Sequence, residues 1–170
     1  MKYVCSLILL FLFACANESK QQNFNYSLIP KPTGVVSDFE SFFSQDQKNK
    51  ISAKIDSVNA LGKIEIGLAT FDSSYTRDSL FEEFALRVAN NWGIGNSKLN
   101  NGVFICISFQ MRIIQIKTGL GIEKYITNET VEGVIDDILI PSFRKQRFTE
   151  GIIEAVEELS RLSYLYIKDN

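Results

Sequence analysis

Residues 92–123 constrain the fold of this chain more than any other stretch. They hold a glycine-bearing loop and then the nearly continuous apolar run 103–109. A two-residue reversal and a second strand pattern at 112–117 follow. A continuous apolar run is typical of a central strand that is buried on both faces. The short reversal allows only a hairpin, so these two strands are predicted to pair antiparallel.

The segment before this block predicts one helix and one strand. Ser44 and Gln47 have the spacing of a capping box, and an apolar stripe at helical spacing follows. We therefore predict a helix over residues 45–60. Residues 63–71 alternate between apolar and polar or small side chains, which is the period of a strand.

Three further helices are predicted from their caps. A second capping box, Ser79 with Glu82, precedes a broad apolar stripe. Thr127 and Thr149 are each predicted to cap a later helix. Pro141 is expected to break the helix that Thr127 opens, because proline lacks the backbone N–H that a helix interior requires.

The order of these elements predicts an α/β fold. A helical crossover makes the first two strands parallel, and the hairpin adds an antiparallel third. Helices on both faces of this mixed sheet give a three-layer αβα sandwich. The chain has 170 residues, 45% of them hydrophobic and 22% charged, which suits a domain with its own core.

The composition excludes several kinds of chemistry. The chain has no histidine, so Ser-His-Asp and Cys-His nucleophiles and histidine-ligated zinc are excluded. A metal site would need oxygen ligands, which favour calcium, magnesium or manganese. The net charge of −2 predicts no nucleic-acid partner. Gly93 and Gly95 lack the third glycine of a dinucleotide fingerprint, so no nucleotide cofactor is predicted.

The N-terminus is predicted to be a targeting segment. Lys2 precedes an apolar run, residues 4–13, that is too short to span a bilayer as a permanent helix. The run ends in Leu-Phe-Ala-Cys, which resembles a bacterial lipobox with Cys15 as the lipidated residue. Residues 1–15 are thus interpreted as a lipoprotein signal peptide. An ordinary signal peptide cut nearby is the alternative.

A polar tether follows the predicted signal. Residues 16–32 are rich in Asn, Gln, Ser and Lys, which is typical of a flexible linker. The folded domain is then expected over residues 33–170, held by its lipid to a bacterial membrane in the cell envelope. Cys106 lies within the apolar strand and is interpreted as a small buried hydrophobe without a disulfide partner.

The two glycine loops of the central block point to a candidate site. The start of one hairpin strand lies beside the end of the other, which places Asn100 and Asn101 next to Gly119, Gly121 and Glu123. Carboxamide, carbonyl and carboxylate oxygens are ligands of hard cations. Ordinary turn chemistry explains the same residues, and the glutamate could instead complement a helix dipole.

The same block carries a family resemblance. The pieces that match, in order, are Val36-Ser37-Asp38, Trp92-Gly93-Ile94-Gly95, Asn101-Gly102-Val103, Arg112, Gly119-Leu120-Gly121-Ile122-Glu123, Thr127 and Pro141-Ser142-Phe143-Arg144. This ordered set, which covers about residues 35–159, resembles the TPM-domain family.

The resemblance implies an αβα sandwich, an envelope or thylakoid location, and divalent-cation binding in several members. Calcium is the expected cation, with magnesium as the alternative, and the implied ligands are Asp38, Asn100, Asn101 and Glu123. The family usually has an acid where this chain has Asn100, and fewer ligand charges should weaken binding. Asp38 is equally consistent with a turn or helix-entry acid.

Three functions remain open at this stage. The first is a lipid-anchored accessory module for binding, assembly or quality control of an envelope protein partner. The second, implied by the family, is a metal-assisted acid phosphatase whose cation is held by Asp38 and Glu123. The third is an interaction domain without a ligand. The basic cluster of Arg144, Lys145 and Arg147 could hold an anion or complement a helix dipole.

Overall fold

The computed structural model describes residues 29–167, with side chains as far as residue 164. Its centre is a four-stranded sheet in the order β1-β2-β3-β4. The first three strands are parallel and β4 pairs antiparallel with β3, which confirms the predicted mixed sheet and hairpin. The strands are β1 (Val36–Asp38), β2 (Glu65–Thr70), β3 (Gly102–Ser108) and β4 (Ile113–Thr118).

The strand β1 was not predicted. It has only three residues, too few to show an apolar alternation, and it pairs at the edge of the sheet with Leu68, Ala69 and Thr70. The sheet therefore has one more strand than the sequence indicated.

Helices cover both faces of the sheet, which confirms the three-layer αβα sandwich. One helix, α2, packs Phe81, Phe84 and Val88 against Phe104 and Cys106 on one face. The remaining helices pack with the opposite face, where the larger hydrophobic core lies. The helices are α1 (Gln45–Asn59), α2 (Phe81–Trp92), α3 (Asn128–Gly133), α4 (Ile140–Arg144) and α5 (Phe148–Ile167).

The parallel strands give the sheet two distinct edges. The carboxyl edge is formed by the ends of β1, β2 and β3 with the turn into β4. The amino edge is formed by the starts of β2 and β3 with the end of β4. Asp38 pairs with Thr70 at the carboxyl edge, and Glu65 pairs with Gly102 at the amino edge. At about 3.3 Å per residue, the two edges are roughly 16 Å apart along β2.

Of the four predicted caps, those at Ser44 and Thr127 are confirmed and those at Ser79 and Thr149 are wrong. The Ser44 hydroxyl accepts a bond from the Gln47 amide and completes the capping box of α1. Thr127 caps α3 in the same way. Ser79 does not cap α2, because a 3-10 turn (Asp78–Leu80) precedes the helix and places Leu80 at the cap without a side-chain bond.

The predictions for Pro141 and Thr149 are also wrong. A π-helical segment (Val134–Leu139) joins α3 to α4 without a break. Pro141 lies in the first turn of α4, and widened π turns are one known way for a helix to accommodate a local disruption. Thr149 lies inside α5, and its buried hydroxyl oxygen has no hydrogen-bond partner in the described part of the chain.

The structure confirms the interpretation of Cys106 as a small buried hydrophobic residue. It is a free cysteine with no solvent exposure, in the middle of β3. Burial raises the pKa of the Cys106 thiol well above its ordinary value, because the thiolate would lose its hydration. The native thiol is therefore a poor nucleophile.

Most of the predicted targeting region lies outside the described residues, including Cys15 and the signal at 1–15. The last part of the predicted tether is described and packs against the domain. The Trp92 indole N–H donates to the Pro30 carbonyl at 2.8 Å, and Ile29 packs against the smaller core cluster. Within residues 29–167, no helix is both long and apolar enough to cross a membrane.

Candidate functional site

The two glycine loops meet at the amino edge, as predicted. The Gly121 amide donates to the Asn100 carbonyl at 2.9 Å, and the Gly119 amide donates to the Gly102 carbonyl at 2.8 Å. The loop before β3 and the loop after β4 are thereby joined by backbone hydrogen bonds.

The glycines of these loops are needed for close backbone packing. A Cβ on Gly121 would lie 1.8 Å from the Leu99 carbonyl oxygen, and one on Gly119 would lie 2.3 Å from the Asn100 carbonyl oxygen. A Cβ on Gly102 would lie 2.0 Å from the Ile94 carbonyl oxygen. The cavity beside Gly102 and Gly119 is only about 50 Å³. Backbone therefore fills the space between the two loops, which leaves no room for a ligand there except on their exposed side chains.

Asn101 is a structural residue at this edge. The residue is only 3% exposed. The carboxamide oxygen accepts from the Asn96 amide at 2.9 Å, and the carboxamide nitrogen donates to the Lys63 carbonyl at 2.9 Å. Both ends of the carboxamide thus fix the loop to its neighbours, and neither points to a free ligand position.

The four predicted metal ligands do not form one site. Asp38 lies at the carboxyl edge, whereas Asn100, Asn101 and Glu123 belong to the amino-edge loops. The separation of roughly 16 Å is far larger than the 2.3–2.6 Å at which oxygen ligands hold calcium. In the described part of the chain, no three acids, cysteines or histidines are grouped so that they could hold a metal ion. The predicted set does not fit one divalent cation.

The Asp38 carboxylate holds the loop between β1 and α1. One oxygen accepts from the Phe42 amide at 3.1 Å and from the Thr70 hydroxyl at 2.6 Å. The other accepts from the Phe43 amide at 2.9 Å. This set of bonds supports the turn interpretation of Asp38, because each carboxylate oxygen already has a donor from the protein.

Glu40, which the sequence did not single out, joins the same edge to the β3–β4 turn. Its carboxylate accepts from the amides of Phe109 and Gln110, each at 3.0 Å, and from the Ser108 hydroxyl at 3.3 Å. Its own amide donates to the Thr70 hydroxyl. These partners lie up to 70 positions away in the chain, so no local pattern could have revealed them.

A cleft of about 600 Å³ opens beside this network at the carboxyl edge. In open α/β sheets, ligands usually bind outside the carboxyl ends of the strands. The cleft lies between the β3–β4 turn and the segment around α4, and it combines aromatic side chains with two arginines. Its lining residues are Phe42, Ile107, Ser108, Phe109, Arg112, Ile114, Ile140, Phe143, Arg144, Gln146 and Phe148.

The chain belongs to the TPM domain family. The family model matches residues 36–162, which include all four strands and most of α5. This match confirms the resemblance that the ordered motifs indicated. The comparison with curated proteins found no match.

Three solved structures have a similar fold. The N-terminal domain of a P. gingivalis protein is 28% identical, with a TM-score of 0.66 over 76% of this chain and 82% of that one. The BA42 protein of Bizionia argentinensis is 20% identical, with a TM-score of 0.65 over 75% and 86%. The N-terminal domain of the Corynebacterium glutamicum cg2496 protein is 16% identical, with a TM-score of 0.59 over 77% and 80%. The last two support the fold alone.

Proposed function

We propose that this chain is a lipid-anchored TPM-domain protein of the bacterial cell envelope that acts as a binding and assembly-accessory module for an envelope partner. The carboxyl-edge cleft carries this proposal, because it is large enough for a ligand and lies on a sheet edge. The nearby acids Asp38 and Glu40 are already used to hold backbone amides, which favours binding over acid–base chemistry. The lipobox-like sequence at Cys15 supports the membrane tether.

Replacing Cys15 by alanine should release the protein from the membrane. We expect the natural chain to incorporate an alkyne-tagged fatty acid in bacterial cells and to pellet with membranes. The Cys15→Ala variant should lose both properties, because the thiol that accepts the lipid is gone. Cys5→Ala, which changes a cysteine inside the predicted signal, is the matched control and should keep both. Labelling that persists in Cys15→Ala would contradict the anchor.

Divalent-cation binding is part of the proposal only as a weak site at the amino edge. Of the predicted ligands, Asn100 and Glu123 have exposed side chains on the joined loops, so they alone of the four could share an ion there. One carboxylate gives a low ligand charge, and we expect a dissociation constant of about 1 mM or weaker.

A calcium titration of the thermal unfolding midpoint tests this site, with magnesium as the comparison. At a tenfold excess over the dissociation constant, the native state should gain about 1.4 kcal/mol. Glu123→Gln should abolish the gain, and Glu129→Gln, an exposed acid in the first turn of α3, should leave it intact. A midpoint that calcium does not move would remove the cation from the account.

The metal-assisted phosphatase is not favoured by the geometry. Asp38 and Glu123, the two carboxylates assigned to its cation, belong to opposite edges of the sheet. The Ser108 hydroxyl does contact the Glu40 carboxylate, but Ser108 is 1% exposed, and the same hydroxyl accepts from the Met111 amide. Hydrolysis of an aryl phosphate that a chelator abolishes would contradict this assignment.

A further inference from the structure

We propose that the carboxyl-edge cleft binds a carboxylate carried on an apolar or aromatic body. The two arginines of the cleft, Arg112 and Arg144, hold the carboxylate, and the phenylalanine wall covers the apolar part. The inference rests on the proposed role as a binding module and adds the chemical class of the ligand. It does not depend on the lipid anchor.

The two arginines carry the first part of the argument. Arg112 lies in the β3–β4 turn and Arg144 ends α4, and both side chains line the cleft. Both side chains are exposed. Neither guanidinium has an ion pair or a hydrogen bond with any described residue. By contrast, Arg147 pairs with Glu154 and Arg161 pairs with Glu158. Free guanidinium groups in a cleft are suited to bind an oxyanion through two parallel hydrogen bonds.

The charge of Glu40 contributes to the choice of oxyanion. Its carboxylate lies against the backbone of Ser108, Phe109 and Gln110, beside the same cleft. Glu40 accepts from those groups and forms no ion pair with either arginine in the described part of the chain. The two guanidinium groups and Glu40 together carry a net charge of +1, which one carboxylate neutralises, whereas a phosphate dianion leaves an excess negative charge and costs more to remove from water. A carboxylate is therefore favoured over a phosphate monoester.

An aromatic wall provides the apolar half of the site. Phe42 and Phe109 stack with ring centroids 3.6 Å apart and an interplanar angle of 8°. Phe148 packs edge-on against both rings, and Phe143 lies 5.5 Å from Phe109. Phe42 is 39% exposed although most large apolar side chains of this domain are buried. An exposed, well-packed aromatic surface beside free cations suits an anion with an apolar body.

Backbone conformation also distinguishes this edge. Arg112 and Gln146, which both line the cleft, have φ angles of 59°, and Ser41 beside Phe42 has a φ of 53°. Left-handed backbone at residues other than glycine is uncommon and occurs often at functional sites. Three such residues at one edge are consistent with a surface held in shape for a ligand.

Calorimetry on the full chain in non-ionic detergent tests the inference with N-acetyl-L-phenylalanine as the probe. The uncharged amide of the same compound is the matched ligand, and phenyl phosphate is the dianionic one. We expect the acid to bind, the amide to bind at least about tenfold more weakly, and the phosphate to bind more weakly than the acid. The affinity of a short peptide that ends in phenylalanine is compared with that of the small acid. Tighter binding of the peptide indicates that the natural ligand is the carboxyl terminus of a polypeptide, and tighter binding of the small acid indicates a free acid.

Arginine variants locate the binding. Arg112→Met and Arg144→Met keep the apolar stem of the side chain and remove the charge, and each should weaken binding of the acid about tenfold or more. Lys98→Met removes one positive charge at the amino edge and should leave the affinity unchanged. Arg144 is an exposed helix-end residue, so Arg144→Met keeps the test valid if the turn variant folds poorly.

The inference is overturned if the acid does not bind, if acid and amide bind alike, or if neither arginine variant changes the affinity. Tighter binding of phenyl phosphate would overturn the assignment to a carboxylate. The membrane-anchor experiment has a separate readout, so either proposal can fail without the other.

Discussion

Replacing Gly121 by alanine should destabilise the domain by about 3 kcal/mol or more, because the new methyl group has no space. Its Cβ would lie 1.8 Å from the Leu99 carbonyl oxygen and 3.0 Å from the Asn100 carbonyl oxygen. Both obstacles are backbone atoms, so relief requires the two amino-edge loops to separate. Thermal unfolding should show a midpoint lower by roughly 10 °C.

Gly133→Ala is the matched control for this experiment. Gly133 lies in α3 with a helical φ of −58°, and a Cβ there would meet nothing within 4 Å. Alanine is the better helix former by about 1 kcal/mol, so this variant should be as stable as the natural chain or more stable. If Gly121→Ala unfolds at the same temperature as Gly133→Ala or a higher one, the result contradicts a tight backbone contact between the two amino-edge loops.

Replacing Asp38 by alanine should also destabilise the domain, by about 3 kcal/mol. The carboxylate accepts from the Phe42 and Phe43 amides and from the Thr70 hydroxyl, and hydrogen bonds to a charged group are the strong ones. The substitution leaves these donors without their acceptor at the entry to α1. Urea unfolding should show a lower midpoint with an unchanged slope.

Asp56→Ala is the control that removes a carboxylate of no comparable role. Asp56 is exposed on α1, and a surface substitution of this kind changes stability by about 0.5 kcal/mol or less. If Asp38 were chiefly a metal ligand, Asp38→Ala would instead be neutral in the absence of metal. Equal midpoints for the two variants in chelator would therefore contradict the structural role assigned to Asp38.

The parts of the fold that the sequence predicted well have strong local patterns. The apolar run of β3 and the short reversal into β4 were compatible only with an antiparallel hairpin, which the structure shows. The loops at the ends of these strands meet as expected. The short strand β1 was missed because its three residues form a strand only by pairing with β2. Pro141 misled the prediction because a π-helical segment before it keeps the helix continuous.

The candidate site was predicted less well for a physical reason. The Asn and Gly residues of the amino edge have the composition of a cation site, but their spacing does not reveal that the Leu99 and Asn100 carbonyls fill the space. Arg112 and Arg144 are 32 positions apart in the sequence (144 minus 112). The sequence does not show that neither arginine has an acidic partner. Only the packing of α4 beside the β3–β4 turn brings them to one cleft.

The most direct test of the account is the position of ligand-induced amide shifts in the ¹⁵N NMR spectrum of the protein. The central claim is that the carboxyl edge, and not the glycine loops, binds the ligand. Titration with N-acetyl-L-phenylalanine should move the amides of residues 109–112 and 143–148 and leave residues 96–101 and 119–123 in place. Shifts confined to residues 96–101 and 119–123 would contradict the claim and return the functional site to the amino edge.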